Sequence, residues 1–63
     1  MNPIPIGTEV EFDLIGERYQ GVVVDSDNHG VAVRYMEVSD AGGVYRKVWL
    51  SWAAVARKSV TVR

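Results

Sequence analysis

The segment from Tyr45 to Val55 carries the side chains that are best suited to chemistry. It contains both tryptophans of the chain, Trp49 and Trp52, together with Arg46 and Lys47. Aromatic rings beside cations stack on planar groups and attract anions. The 63 residues show no nucleophile-and-base pattern and no metal-ligand spacing. We therefore expect a binding surface, with no catalytic residues, no metal and no cofactor.

Alternation along the fourth predicted strand places Tyr45, Lys47 and Trp49 on one face, because successive side chains of a β-strand point to opposite sides. Ser51 is expected to cap a single helical turn, since serine accepts hydrogen bonds from the start of a helix. The Trp52 ring, inside this turn, is expected to be buried over the apolar end of the sheet. The Trp49 ring is expected to stay exposed. The predicted ligand-binding residues are Trp49, Tyr45, Lys47, Arg46 and Ser51.

Apolar residues at period two and glycine-marked turns predict five strands. The predicted strands span residues 8–14, 18–25, 31–38, 44–50 and 58–62, with one helical turn over 52–55. Gly21 lies within the second strand, where a missing side chain commonly allows a bulge or bend. The residues expected to be buried are Val10, Phe12, Leu14, Val33, Val48 and Val55.

This element order predicts an all-β fold, a small five-stranded SH3-like barrel with one short helical turn before the last strand. An open five-stranded sheet that dimerises is the alternative. Pro3 and Pro5 cannot donate to a ladder, so residues 1–6 are expected to form an extended N-terminal leader and residues 7–63 the barrel domain. A domain of this size buries only about 60% of its unfolded surface. Because there is no cysteine to staple it, we expect a homo-oligomer.

Charge is unevenly distributed along the chain, although the formal net charge is only −1. Residues 1–33 carry six carboxylates against Arg18 alone, whereas residues 34–63 carry six cations against Glu37 and Asp40. Such asymmetry can supply a basic face for nucleic acid. Alternatively, the acidic first strand pairs with the basic last strand inside one fold and the charges cancel locally.

The polar segment Asp25–Gly30 is similar to the start of a calcium loop, but Met36 occupies the position of the distal glutamate. We interpret it as a hairpin turn, and His29 as a turn residue. The first residues lack a basic start and a long apolar run, so we expect neither a signal peptide nor a membrane segment. The absence of cysteine fits a reducing compartment, and a cytoplasmic location is expected.

Four segments carry a family resemblance: Gly7-Thr8-Glu9-Val10, Tyr19-Gln20-Gly21 with its valine run, Gly30-Val31-Ala32-Val33, and Val48 followed by Ala53-Ala54-Val55. On these segments the chain resembles the plasmid- and integron-borne type II dihydrofolate reductases over most of residues 7–56. The resemblance implies an SH3-like barrel that assembles as a homotetramer, and an NADPH-dependent oxidoreductase activity if the chain is an enzyme. The family's Val-Gln-Ile-Tyr motif is matched by Val48-Trp49-Leu50-Ser51, which keeps only the valine. Its pore-mouth lysine falls at or next to Phe12.

Three functions follow from these observations. The first, which we favour, is a non-catalytic binding module that uses an aromatic and basic patch for a protein, peptide or modified side chain, with acids completing a cage around a cation. The second is a nucleic-acid-binding SH3-like domain of the KOW or Tudor type. The third is an enzyme like the resembled reductases. The aromatic candidates are Tyr19, Tyr35, Tyr45, Trp49 and Trp52.

Overall fold

Five antiparallel strands and one short helix make up the fold, which a computed structural model describes for residues 4–63. The elements are β1 (Glu9–Leu14), β2 (Glu17–Ser26), β3 (Gly30–Ser39), β4 (Gly42–Ser51), α1 (Trp52–Ala56) and β5 (Val60–Val62). The strands form one sheet in the order β4-β3-β2-β1-β5. The predicted all-β fold with a short helix before the last strand is confirmed. No ladder joins β4 to β5 within residues 4–63, so closure into a barrel stays a prediction.

The strand bounds follow the sequence pattern closely, except at β5. The last strand was predicted to start at Lys58, but it starts at Val60. Lys58 has a φ of 63°, and its N–H bonds to the Val55 carbonyl while the Ser59 N–H bonds to the Ala54 carbonyl. These bonds satisfy the carbonyls that end α1, so the chain becomes extended two residues later than its composition indicated.

The core lies on one side of the sheet, which we call the inner face. Val10, Phe12 and Val33 are fully buried there, as predicted. Leu14, Val48 and Val55 are only partly buried, although they pack against this core. The prediction of burial was therefore too strong for these three, which lie at a strand end, on the edge strand and in the short helix.

Three aromatic rings form the centre of the core. The ring of Phe12 lies 5.9 Å from that of Tyr19 and 5.2 Å from that of Tyr35, and the two tyrosine rings are 5.0 Å apart. The Tyr19 hydroxyl donates a hydrogen bond to Glu17, and this bond is the main cause that raises the pKa of Tyr19. Of the five aromatic candidates, Tyr35 is thus a buried core residue, and Tyr19 is partly buried against the core.

Ile4 also belongs to the core, since it is only 3% exposed. It lies within the stretch that the prolines suggested to be a leader, of which residues 1–3 lie outside the described residues. Backbone bonds hold the adjoining segment, because the Gly7 N–H donates to the Val23 carbonyl and the Thr8 N–H to the Pro5 carbonyl. The segment just before β1 therefore packs with the sheet.

Gly21 is required by close packing and not by a bulge. It lies opposite Val10 on one side and Tyr35 on the other, in regular register. The sequence suggests a bulge or a bend at Gly21, but the register irregularity of β2 falls between Val23 and Asp25, so no bulge lies at Gly21 itself. A Cβ atom on Gly21 would lie 2.5 Å from Val33 Cγ1 and 2.6 Å from the Arg34 carbonyl oxygen.

Replacing Gly21 by alanine should therefore destabilise the protein by about 1–3 kcal/mol, because a buried contact becomes overpacked. Gly43→Ala is the matched control. Its added Cβ would meet the Met36 sulfur at 2.7 Å, at the end of an exposed, flexible side chain that can move. Urea unfolding should show a much lower midpoint for Gly21→Ala than for Gly43→Ala. Equal midpoints would show that the sheet yields at Gly21 without cost.

Candidate functional site

The outward face of β3 and β4 carries most of the predicted ligand-binding side chains. In the ladder, Met36 lies opposite Tyr45, Arg34 opposite Lys47, and Ala32 opposite Trp49. Opposite residues share a face, and this face is turned away from the core. We name Arg34, Met36, Tyr45, Lys47 and Trp49 the β3–β4 patch. Tyr45 is 65% exposed, Trp49 49% and Met36 44%, so the patch presents two rings and a thioether to solvent.

Arg34 and Lys47 form an unusual pair at the centre of this patch. They are directly opposite each other on neighbouring strands, and like charges in that position repel. Neither forms an ion pair with any residue in the range 4–63. The Arg34 guanidinium carbon lies 5.1 Å from the centre of the Tyr45 ring, a cation–π contact that holds the charge at the surface.

Other cations of the sheet are neutralised by carboxylates. Arg18 lies 3.0 Å from Asp13 and 3.4 Å from Glu11, and Arg63 of the C-terminal end lies 3.5 Å from Glu11. The hydrogen bond to Asp13 is the main cause that raises the pKa of Arg18. Local cancellation between the acidic first strand and the basic end of the chain is therefore real but partial. It leaves the positive charge of the β3–β4 patch uncompensated.

Arg46, which the sequence grouped with these residues, lies elsewhere. It is opposite Tyr35, on the face that bears the core, and its Nε lies 2.8 Å from a Glu37 carboxylate oxygen. That hydrogen bond is the main cause that raises the pKa of Arg46. The structure thus brings Tyr45, Lys47 and Trp49 together and places Arg46 on the opposite side of the strand.

Ser51 ends β4 and caps α1, as predicted. Its hydroxyl oxygen accepts a hydrogen bond from the Ala54 N–H at 3.2 Å. Arg34 and Met36, which sequence reasoning did not single out for the site, join it only through the register between β3 and β4. The alternation of β3 shows which face they occupy, but no local signal shows what lies opposite them.

The two tryptophans have separate positions. The Trp52 ring nitrogen donates a hydrogen bond to the Asp27 carbonyl at 2.9 Å, and the Trp52 backbone N–H donates to the His29 carbonyl. Its half-buried ring packs against the core. Trp49 has no such hydrogen bond within the described chain, and half of its surface is exposed. Trp52 therefore joins the helix to the β2–β3 turn, while the Trp49 ring remains accessible.

A pocket of about 300 Å³ adjoins the Trp49 ring at this end of the sheet. Its lining residues are Asp27, His29, Gly30, Trp49, Leu50 and Ser51. Asp27 uses one carboxylate oxygen to accept the N–H groups of His29 and Gly30, at 2.7 and 3.1 Å. This carboxylate therefore stabilises the turn. The segment connects β2 to β3 as a hairpin turn, as predicted, since Ser26 pairs with Val31 across it. Within residues 4–63, no cluster of three metal-ligating side chains occurs.

A second hollow of about 350 Å³ lies over β1 and β5. Glu9, Glu11, Thr61, Val62 and Arg63 line it. Its central charges already compensate each other, because Glu11 pairs with both Arg18 and Arg63. A ligand there would have to displace existing ion pairs, so this hollow is a weaker candidate than the β3–β4 patch.

Comparisons of the chain with protein-family models, with curated proteins and with solved structures found no match. The resemblance to the type II dihydrofolate reductases accordingly stays a prediction. In residues 4–63 no helix is long and apolar enough to span a bilayer, since α1 has only five residues.

Substitutions of the two tryptophans should separate stability from ligand contact. Trp52→Ala should lose about 2–4 kcal/mol, because a partly buried ring and a hydrogen bond are removed together. Trp49→Ala should change the unfolding free energy by no more than about 0.5 kcal/mol, as expected for a surface ring. Urea unfolding followed by far-UV circular dichroism measures both without relying on tryptophan fluorescence. Greater destabilisation by Trp49→Ala would reverse the two assignments.

Proposed function

We propose that this protein is a small non-catalytic binding module whose β3–β4 patch binds single-stranded nucleic acid. The observation that supports this most directly is the opposed pair Arg34 and Lys47, which lacks a carboxylate partner among the described residues and is flanked by Tyr45 and Trp49. The proposal requires the patch to supply two functions: attraction of phosphate and stacking on bases.

Attraction of phosphate follows from the electrostatics of the pair. Two opposed cations cost stability in the free protein, and an anion between them converts that repulsion into attraction. Both side chains are at an exposed face, where an extended polyanion can approach without entering a cavity. In a nucleic acid the phosphates are linked to planar bases, so one ligand can contact both the cations and the rings.

Stacking follows from the spacing of the rings along β4. Tyr45 and Trp49 are four residues apart on one strand face, which corresponds to about 13 Å at the rise of a β-strand. Lys47 lies midway between them, and Arg34 lies across from Lys47. This order of ring, cation and ring suits a strand whose splayed bases stack while the linking phosphate meets the charges.

The same geometry argues against a cage for a cation. Such a cage needs acids beside the rings, whereas the β3–β4 patch contains two cations and no carboxylate. The nearest acid along β3, Glu37, is on the opposite face and is bound to Arg46. A duplex would keep its bases stacked and leave the two rings unused, so a single strand is the better ligand. No feature of the described residues specifically favours reductase chemistry.

Neutralising either cation should weaken binding of a fluorescein-labelled oligothymidylate and should not harm the fold. Lys47→Gln and Arg34→Gln are each expected to lower affinity several-fold in anisotropy titrations. Each should also reduce the slope of log affinity against log salt by about 0.7, the value for one phosphate contact on a single strand. The melting temperature of Lys47→Gln should be equal to or above the wild-type value, because a like-charge pair has been removed. Arg34→Gln also loses the cation–π contact with Tyr45, so its melting temperature should stay close to the wild-type value.

Arg57→Gln is the matched control, since it removes the same charge from the end of α1, away from the sheet face. This variant should keep nearly the wild-type affinity and salt slope. Equal losses in Arg57→Gln and Lys47→Gln would mean that only net charge matters, and the patch assignment would then be wrong. Absence of binding by the wild-type protein at about 50 mM salt, where such contacts are strong, would refute the proposal.

A further inference from the structure

The free edge of β4 is the longest unpaired strand edge among the described residues. Its ladder with β3 runs without interruption from Gly30 opposite Ser51 to Ser39 opposite Gly42. The other edge of the sheet is β5, which has only three residues. β4 contains no proline and no bulge, and it exposes Val44, Tyr45 and Trp49. A long, regular and partly apolar edge is a template for pairing with another strand.

We propose that this edge pairs antiparallel with β4 of a second copy, about a two-fold axis that passes between the Arg46 residues of the two copies. A two-fold axis perpendicular to the sheet makes the contact self-complementary and keeps the two outward faces on the same side. The two β3–β4 patches then join into one surface. The functional part of this inference rests on the proposed binding of single-stranded nucleic acid.

Charge favours this register over the neighbouring one, in which the axis lies at Lys47. With the axis at Arg46, Tyr45 of each copy is opposite Lys47 of the other, and Val44 is opposite Val48. The first contact pairs a cation with an aromatic ring, and the second pairs two apolar side chains. The Arg46 residues of the two copies would lie opposite each other. Within each copy, however, Glu37 neutralises Arg46, since its carboxylate oxygen lies 2.8 Å from Arg46 Nε.

The neighbouring register, with the axis at Lys47, is much less favourable. It would place the two Lys47 side chains directly opposite each other, and neither has a carboxylate partner within the described residues. Within each copy Arg34 also lies opposite Lys47, so this register would cluster four uncompensated cations around the axis, two from each copy. The register at Arg46 separates the two lysines by placing a tyrosine opposite each.

In the proposed dimer each copy completes the site of the other. Lys47 of the second copy lies beside Tyr45, so the cations and rings alternate across the axis on one continuous face. The dimer therefore offers a single strand about twice as many phosphate contacts as one copy does. Binding should be tighter and its salt dependence steeper for the dimer than for the isolated chain.

Single cysteines test the register directly, because the natural chain contains none. Tyr45→Cys and Lys47→Cys, mixed and oxidised without nucleic acid, should form the mixed disulfide faster than either forms a disulfide with itself. Opposite residues lie about 4.5–5.5 Å apart between Cα atoms, within disulfide reach, whereas diagonal ones lie about 7–8 Å apart. Asp40→Cys, at the tip of the β3–β4 hairpin, is the control that should not cross-link.

Faster self-linking of Lys47→Cys than of the mixture would overturn the proposed register. Cross-linking no faster than that of Asp40→Cys would overturn edge pairing altogether. Because these reactions contain no nucleic acid, their outcome does not depend on the proposed binding function.

The shared site is tested with the same proteins. The disulfide-linked mixture retains one intact pair of Tyr45 and Lys47 by symmetry, and it should bind oligothymidylate more tightly and with a steeper salt slope than the same mixture after reduction and dilution. Equal affinity and slope would refute the shared site. If neither form binds, the proposed function fails, and the cross-linking result still reports on the edge.

Discussion

The ten-pair register between β3 and β4 is the constraint on which the rest of the structure depends. Side chains of a strand alternate between faces, so a slip by one residue would turn Lys47 and Trp49 toward the core and expose Val48. Two features fix the register. The two-residue turn at the hairpin tip sets one end. At the other end Gly30 contacts the β4 backbone so closely that a Cβ atom there would clash with the Leu50 carbonyl.

Charge on this sheet is paired in one region and like-charged in another. On β1 and β2 the carboxylates of Glu11 and Asp13 meet Arg18 and Arg63, in surface pairs that solvent screens strongly. On the outward side of β3 and β4, Arg34 and Lys47 meet each other. A net charge of −1 therefore hides a local positive surface, and long-range attraction of a polyanion is weaker than contact at this surface. Such a surface favours a ligand that touches both the rings and the charges.

Sequence reasoning predicts the local features of this protein and misses the pairwise ones. Alternation predicted that Tyr45, Lys47 and Trp49 share a face, and the serine cap predicted the turn that follows Ser51, because both depend on neighbouring residues alone. The opposition of Arg34 and Lys47 depends on the register of two strands. The pairing of Arg46 with Glu37 depends on the same register, which places these residues diagonally on the inner face. Alternation predicts that Arg46 shares a face with the apolar residues of β4, but Arg46 is included in the predicted patch because of its charge.

Packing positions were missed for a related reason. Ile4 precedes the alternating pattern and is flanked by prolines, so nothing local distinguished it from an exposed leader residue, yet it is buried against the sheet. At Gly21 the sequence suggests a bulge or a bend, because glycine in a strand has two common causes: a local irregularity of this kind, and a close approach of another chain segment. Only the neighbouring Val33 and Arg34, which would touch an added methyl group, distinguish the two causes.

The face and the edge of β4 are physically coupled, because the same residues serve both. Joining two copies along β4 would bring the cations of both patches onto one surface, and their mutual repulsion opposes the pairing in the absence of a ligand. A polyanion bound across that surface removes the repulsion and binds the paired form better than the single chain. By linkage, binding of the polyanion strengthens pairing by the same free energy by which pairing strengthens binding. Salt screens both the repulsion and the attraction, so pairing of the free protein should strengthen with salt while pairing driven by the polyanion should weaken.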